Sequence, residues 1–210
     1  HLFLLDSNVE SNSPSDRLLT EQLYSNDLEV RISQEILLGM GGVRALRSLG
    51  YDPVVWHMNE GHSAFLAVER IRECVNKGMS FDAAWEKVKV SNVFTTHTPV
   101  PAGNDQFPLW LIDKYFGNIW PELGLTRDQF IELGRQEQPW GDNFVMPVLA
   151  LKLSERANAP ARQMFNVALS HMLENSRAIA AGTYLIQVAH ELERVGDRAA
   201  TGGDRFLPGD

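Results

Sequence analysis

The chain has 210 residues, of which 44% are hydrophobic and 22% charged, with a formal net charge of −8; this composition belongs to the soluble globular class and supports a real core. The acidic balance excludes a broad electrostatic grip on nucleic acid or an anionic membrane, which needs clustered Lys and Arg. No apolar run of about eighteen residues occurs, and the lone cysteine, Cys74, cannot make an internal disulfide, so a reducing cytoplasm and a buried thiol are expected.

In chain order, His1 leads directly into an apolar run, Leu2 to Leu5, that reads as a buried strand ending at Asp6-Ser7-Asn8. A start on His rather than Met, without the charged opening of a signal peptide, is what a chain cut from something longer would show. Residues 9–27, rich in Ser, Asn and Asp and holding Pro14, read as a long connection. Ile32, Ile36 and Leu37, then Val43, Leu46 and Leu49, recur at helical spacing, and Gly39-Met40-Gly41-Gly42 between them predicts two helices meeting at a glycine break or a close packing point. Gly50 ends the second.

Val54 to Met58 predicts a short strand, after which Asn59 is placed to cap a helix striped with Phe65, Val68, Ile71 and Val75. A second amphipathic helix follows over 81–88, and Asn92 to His97 predicts another strand running into a Pro- and Gly-bearing loop over 98–105. Strands alternating with helices predict an α/β fold with a largely parallel sheet. From Phe107 onward the pattern predicts helices over 107–116, 126–136 and 144–156, with no strand after residue 100. Pro160 marks a boundary, beyond which two helices are predicted over 161–175 and 178–199, before a tail at 201–210 expected to be disordered.

Ligands of open α/β sheets bind at the carboxyl ends of the strands. Two polar segments fall there: Asn59-Glu60-Gly61-His62-Ser63, and Thr95-Thr96-His97-Thr98-Pro99 leading to Asp105. Their donors and acceptors suit a hydroxylated ligand. The alternative is structural: Asn59 as a helix cap, His62 as a hydrogen-bonded core histidine, the prolines as loop stiffeners. Gly39 to Gly42 lacks the remainder of either phosphate-loop pattern, and no zinc spacing, nucleophile elbow or H-E-x-x-H run is present. On the last helix His190, Glu193 and Asp197 share one face, where Glu193 and Asp197 are metal-ligand candidates; an ordinary solvated face balanced by Arg194 and Arg198 is the alternative.

Arg31 to Gly39 with Gly41 to Leu46, then His57-Met-Asn-Glu-Gly-His-Ser-Ala-Phe65, then Val93-Phe-Thr-Thr-His-Thr-Pro-Val-Pro-Ala-Gly-Asn-Asp105, taken in order, resemble the α-glucan (glycogen, starch or maltodextrin) phosphorylases. The resemblance extends through Trp120 to Gly124 and Val148 to Ser154, covering residues 1–159. It implies a partial Rossmann-like N-terminal domain of a two-domain glycosyltransferase fold. The activity implied is phosphorolysis of terminal α-1,4-linked glucose to glucose 1-phosphate, with α-1,4-glucan or maltodextrin and phosphate as partners and a complete enzyme that is a possible homo-oligomer.

By the same resemblance His97 and Thr98 contact the glucosyl unit, Asn59, Glu60 and His62 line the same cleft, and pyridoxal phosphate serves the complete enzyme. The cofactor lysine and the phosphate-binding residues belong to the other domain, so the chain alone is expected to be inactive. After Ala159 the character changes, and His171 to Arg177 with Tyr184 to Ala199 resemble part of a PhoU-type phosphate-uptake regulator, implying a helical 160–200 segment and a metal role for Glu193 and Asp197. That resemblance carries the alternatives of a metal-binding phosphate-signalling module or an inactive fused chain.

Overall fold

A computed structural model describes residues 2–23, 25–96, 104–136 and 141–154. The helical residues predicted beyond 154, and Glu193 and Asp197 with them, lie outside the described residues. Helices and short strands alternate, so the described part of the chain is α/β.

Helix α1, Leu28–Ile36, starts where Asp27 accepts hydrogen bonds from the Glu29 and Val30 amides at 2.7 and 3.3 Å, satisfying N–H groups that a first turn leaves without partners. The predicted glycine break is not a break. Helical backbone continues through a π-helical stretch, Leu37–Gly41, into α2, Gly42–Ser48. Close packing accounts for Gly39: a Cβ there would stand 2.8 Å from the Leu66 amide nitrogen. Gly50, at φ +80°, then takes the left-handed turn that ends the segment.

Strand β1, Trp56–Asn59, pairs in parallel with β2, Asn92–Thr95, in the register Trp56 to Asn92 and Asn59 to Thr95. The crossover between them is α3, Phe65–Asn76, and α4, Phe81–Lys89, with Ser80 capping α4 at the Ala83 amide. Trp56 and Met58 point into the core, while His57 and Asn59 are exposed. Asn59 is not the N-cap residue: it ends β1, and a 3-10 turn over Gly61–Ser63 leads into α3, whose N-cap residue is Ala64 and makes no side-chain cap bond. Cys74 is half-buried against the core rather than fully enclosed.

Two predictions about strands are overturned. Leu2 to Leu5 form no strand, and Leu2 and Leu4 are 86% and 84% exposed; apolar character alone makes no strand where no neighbouring strand pairs with it. After residue 100, β3 (Gln106–Pro108), β4 (Arg135–Gln136) and β5 (Asn143–Val145) form an antiparallel sheet in the order β3-β5-β4. These strands are two or three residues long, too short to show a period-two pattern.

Four helices accompany that sheet: α5 (Leu109–Phe116), α6 (Ile119–Glu122), α7 (Arg127–Glu132) and α8 (Met146–Lys152). Thr126 and Gln129 close a reciprocal capping box on α7. Phe65, Phe116, Phe130 and Phe144 stack through this region, with successive ring centroids 4.6, 5.2 and 5.9 Å apart, so the crossover helix α3 and the second sheet share one core. Glu69 is buried within α3, and Arg44 and Arg72 bond its two oxygens at 2.8 to 3.0 Å. Burial pushes the Glu69 carboxyl up, but those guanidinium bonds outweigh it and hold the group below its ordinary value.

The helix surface around Gly39 and Gly42 yields substitutions of opposite sign. Gly39→Ala drives a methyl into the α3 backbone and is expected to destabilise the chain by about 1–3 kcal/mol. Gly42→Ala meets nothing within 4 Å in a helical backbone and is expected to stabilise by about 0.4–1 kcal/mol. Urea-unfolding midpoints of the two variants check both.

Candidate functional site

The carboxyl ends of β1 and β2 lie side by side, and the polar residues picked out at these ends divide into a described and an undescribed set. Asn59, Glu60 and His62 follow β1; His97 and Thr98 lie outside the described residues. Asn59 is exposed, and Glu60 and His62 are half-buried.

Glu60 is the non-glycine residue with positive φ, 62°, among the described residues, a conformation that costs about 1–3 kcal/mol and persists only when neighbours fix it. They do so here. The Glu60 amide donates to the Thr95 carbonyl at 2.8 Å, and the Thr96 hydroxyl donates to the Glu60 carboxylate at 3.0 Å, so the turn after β1 is tied to the end of β2. His57 and Thr95 add a side-chain bond at 2.8 Å between the same strands. Gly61 then lets the chain pass α8 closely, since a Cβ there would lie 2.9 Å from that of Met146.

His62 is held from behind. Its Nδ1 lies 2.6 Å from Asp105 Oδ2 and 3.8 Å from Glu35 Oε1. Asp105 Oδ1 accepts from Arg31 Nη2 at 2.5 Å, and the same guanidinium nitrogen stands 3.8 Å from Glu35. Two carboxylates, an imidazole and a guanidinium thus meet where α1, the β1 turn and the entry to β3 converge. Glu35 is 3% exposed and neither of its carboxylate oxygens has a hydrogen-bond partner.

Burial therefore pushes the Glu35 carboxyl well above its ordinary value, with His62 pulling the other way. The bond to Asp105, seconded by Glu35, raises His62 to about 9. Burial would also raise Asp105, but the bond from His62, the neighbouring Glu35 carboxyl and the bond from Arg31 together outweigh it and hold that carboxyl low.

The ligand atoms of Glu35, His62 and Asp105 fall within 4.8 Å of one another, a spacing that metal ions use. The atoms of Asp105 and His62 are already engaged within the cluster, however: Arg31 pairs with one oxygen of Asp105, and His62 Nδ1 bonds the other. Beside it lies a cavity of about 590 Å³ lined largely by leucines, with Arg31, Gln34, Glu35 and His62 among its polar lining residues.

Of these four residues, His62 alone was a predicted site residue. Arg31 and Glu35 lay within a recognised motif and Asp105 at the end of another, but a separation of 74 residues between Arg31 and Asp105 leaves no periodic signal. The available hint was compositional: an Arg and a Glu at helical i, i+4 spacing on a face whose neighbours are apolar.

Comparison with known proteins adds the family. Over 161 residues, 77% of its length, the chain is 45% identical to the maltodextrin phosphorylase of Thermococcus litoralis. It is 44% identical to the glycogen phosphorylase of Mycobacterium tuberculosis across 79% of the chain, and 33% identical to that of Aquifex aeolicus across 77%. The chain spans about a fifth of the length of these relatives, 19% to 23%. No family model matches it. Among the described residues no helix is long and apolar enough to cross a membrane.

The His62 contacts have a pH signature. The folded chain holds the His62 proton more tightly than the unfolded chain, so this contribution to stability is whole below about pH 6.5 and disappears as pH rises through about 9. The stability lost in His62→Gln, measured by urea unfolding, is expected to shrink across that window. A loss that stays constant from pH 6.5 to 9 would show that Asp105 does not hold the imidazolium.

Proposed function

We propose that this chain, a stretch of α-glucan phosphorylase sequence over about three quarters of its length, supplies part of the glucosyl-binding wall for phosphorolysis of a terminal α-1,4-linked glucose. The products in the complete enzyme are glucose 1-phosphate and a glucan shortened by one unit. The observation that carries this reading is the fixed polar turn at the ends of two parallel strands, Glu60 at φ 62° bonded to Thr95 and Thr96, inside a segment that is 45% identical to a maltodextrin phosphorylase.

The chemistry suits such a wall. Phosphorolysis passes through a transition state with oxocarbenium character, which gains most from donors and acceptors held rigid before the reaction begins. Asn59, Glu60 and His62, with His97 and Thr98 from the sequence that follows β2, are assigned to grip sugar hydroxyls. They orient the glucosyl unit and exclude water; bond cleavage requires groups from elsewhere.

Pyridoxal phosphate does not fit the described residues. Lys77, Lys87 and Lys114 are exposed, Lys89 is half-buried at the end of α4, and Lys152 is bonded to the Glu132 carbonyl. No lysine lines the large cavity. The cofactor and the phosphate-binding cations are therefore assigned to sequence beyond this segment.

Replacing the aligned segment of the Thermococcus litoralis phosphorylase with residues 1–159 is expected to leave an enzyme that forms glucose 1-phosphate from maltoheptaose and phosphate. Within that enzyme His97→Ala is expected to lower kcat by about 100-fold, the usual loss for one well-placed donor. A folded, cofactor-loaded replacement enzyme that makes no glucose 1-phosphate would sink the reading.

A further inference from the structure

We infer that Asp105, braced by Arg31 and backed by Glu35, is a positioning residue for His62, holding the imidazole by Nδ1 so that one fixed ring orientation is presented to a hydroxyl of the glucosyl ligand. This rests on the phosphorylase reading for the identity of the ligand, and on geometry alone for the hold on the ring.

The geometry runs in one direction. His62 is 30% exposed at its side chain, whereas Asp105 is 17%, Arg31 13% and Glu35 4% exposed, so the three partners lie behind the imidazole and the imidazole lies at the surface they support. An imidazole bonded at Nδ1 to a carboxylate cannot rotate or change tautomer without losing that bond. The 2.6 Å contact is short, as charge-assisted bonds are. Arg31 in turn fixes the second oxygen of Asp105 at 2.5 Å, so the carboxylate cannot swing away.

Glu35 has a different part. Its oxygens are buried without a hydrogen bond, 3.8 Å from both Arg31 and His62. An unsatisfied buried carboxyl is costly to keep. Placed on α1 four residues from Arg31, it closes the pocket behind His62 with a group that favours the protonated ring. Among the described residues, the charged and titratable groups facing His62 include Arg31 and Glu35 from α1 and Asp105 from the entry to β3.

Two readouts test this separately from the reading it builds on. In the full 210-residue chain, nuclear magnetic resonance of isotope-labelled histidine rings is expected to show His62 titrating near 9, and Asp105→Asn is expected to bring that titration down towards 6.5. Glu35→Gln, which keeps the side chain's shape, is expected to lower it by less. A wild-type His62 that titrates near 6.5 overturns the inference even if a variant fails to fold.

In the segment-replaced phosphorylase, Asp105→Asn is expected to move the alkaline limb of kcat/KM to lower pH, and Asp105→Glu to restore it. An unmoved limb in an active enzyme overturns the positioning role. If the replacement enzyme makes no glucose 1-phosphate while the ring titration behaves as expected, the phosphorylase reading falls and the hold of Asp105 on His62 is supported.

Discussion

Asp105 binds in three directions at once, and the local arrangement of the site depends on it. Its carboxylate takes Arg31 from α1 on one oxygen and His62 from the β1 turn on the other, at 2.5 and 2.6 Å. Its backbone carbonyl accepts from the Met146 amide at the start of α8, at 2.9 Å. One residue thereby joins a helix from the first part of the chain, a turn from the parallel strand pair and a helix from its last described part. Without its charge, Arg31 and His62 would be two neighbouring cations with only Glu35 between them, an arrangement that a partly dehydrated site disfavours.

The backbone around that junction is fitted just as closely. Gly61 passes Met146 and Pro147 at distances no side chain would allow, 2.9 and 3.0 Å from where its Cβ would stand, and Glu60 before it adopts a left-handed φ. Close approach and strain sit on adjacent residues, and both are opposed by bonds to β2. Behind them the stacked rings of Phe65, Phe116, Phe130 and Phe144 tie the crossover helix to the antiparallel sheet, so the turn rests on a core that resists the shift needed to relax it.

Much of this was legible in the sequence, for reasons that differ by element. The strand-helix-helix-strand unit from Trp56 to Thr95 was readable because its amphipathic helices run nine residues or more, long enough for a period to show. The strands after residue 100 were not, because Gln106–Pro108 and Asn143–Val145 owe their pairing to partners about forty residues away rather than to local pattern. Leu2 to Leu5 misled for the reverse reason: a strand-like run without a pairing partner beside it. At the site, Glu60 and His62 stood out as polar residues at a strand end. Arg31, Glu35 and Asp105 did not, since their shared purpose exists only once α1 and the loop before β3 meet.

Charge balance bears on the class of ligand that the described cluster suits. The chain is acidic, with a formal net charge of −8, so its long-range field repels an anion such as phosphate. At the described cluster Arg31 and His62 both bond the Asp105 carboxylate, so their donors are already engaged by an anion of the chain's own. A neutral, hydroxyl-rich sugar is indifferent to that field and responds to donors and acceptors at fixed angles. A cluster whose charged groups bond one another and gain rigidity in return is therefore better suited to a neutral, hydroxyl-rich ligand than to an anion.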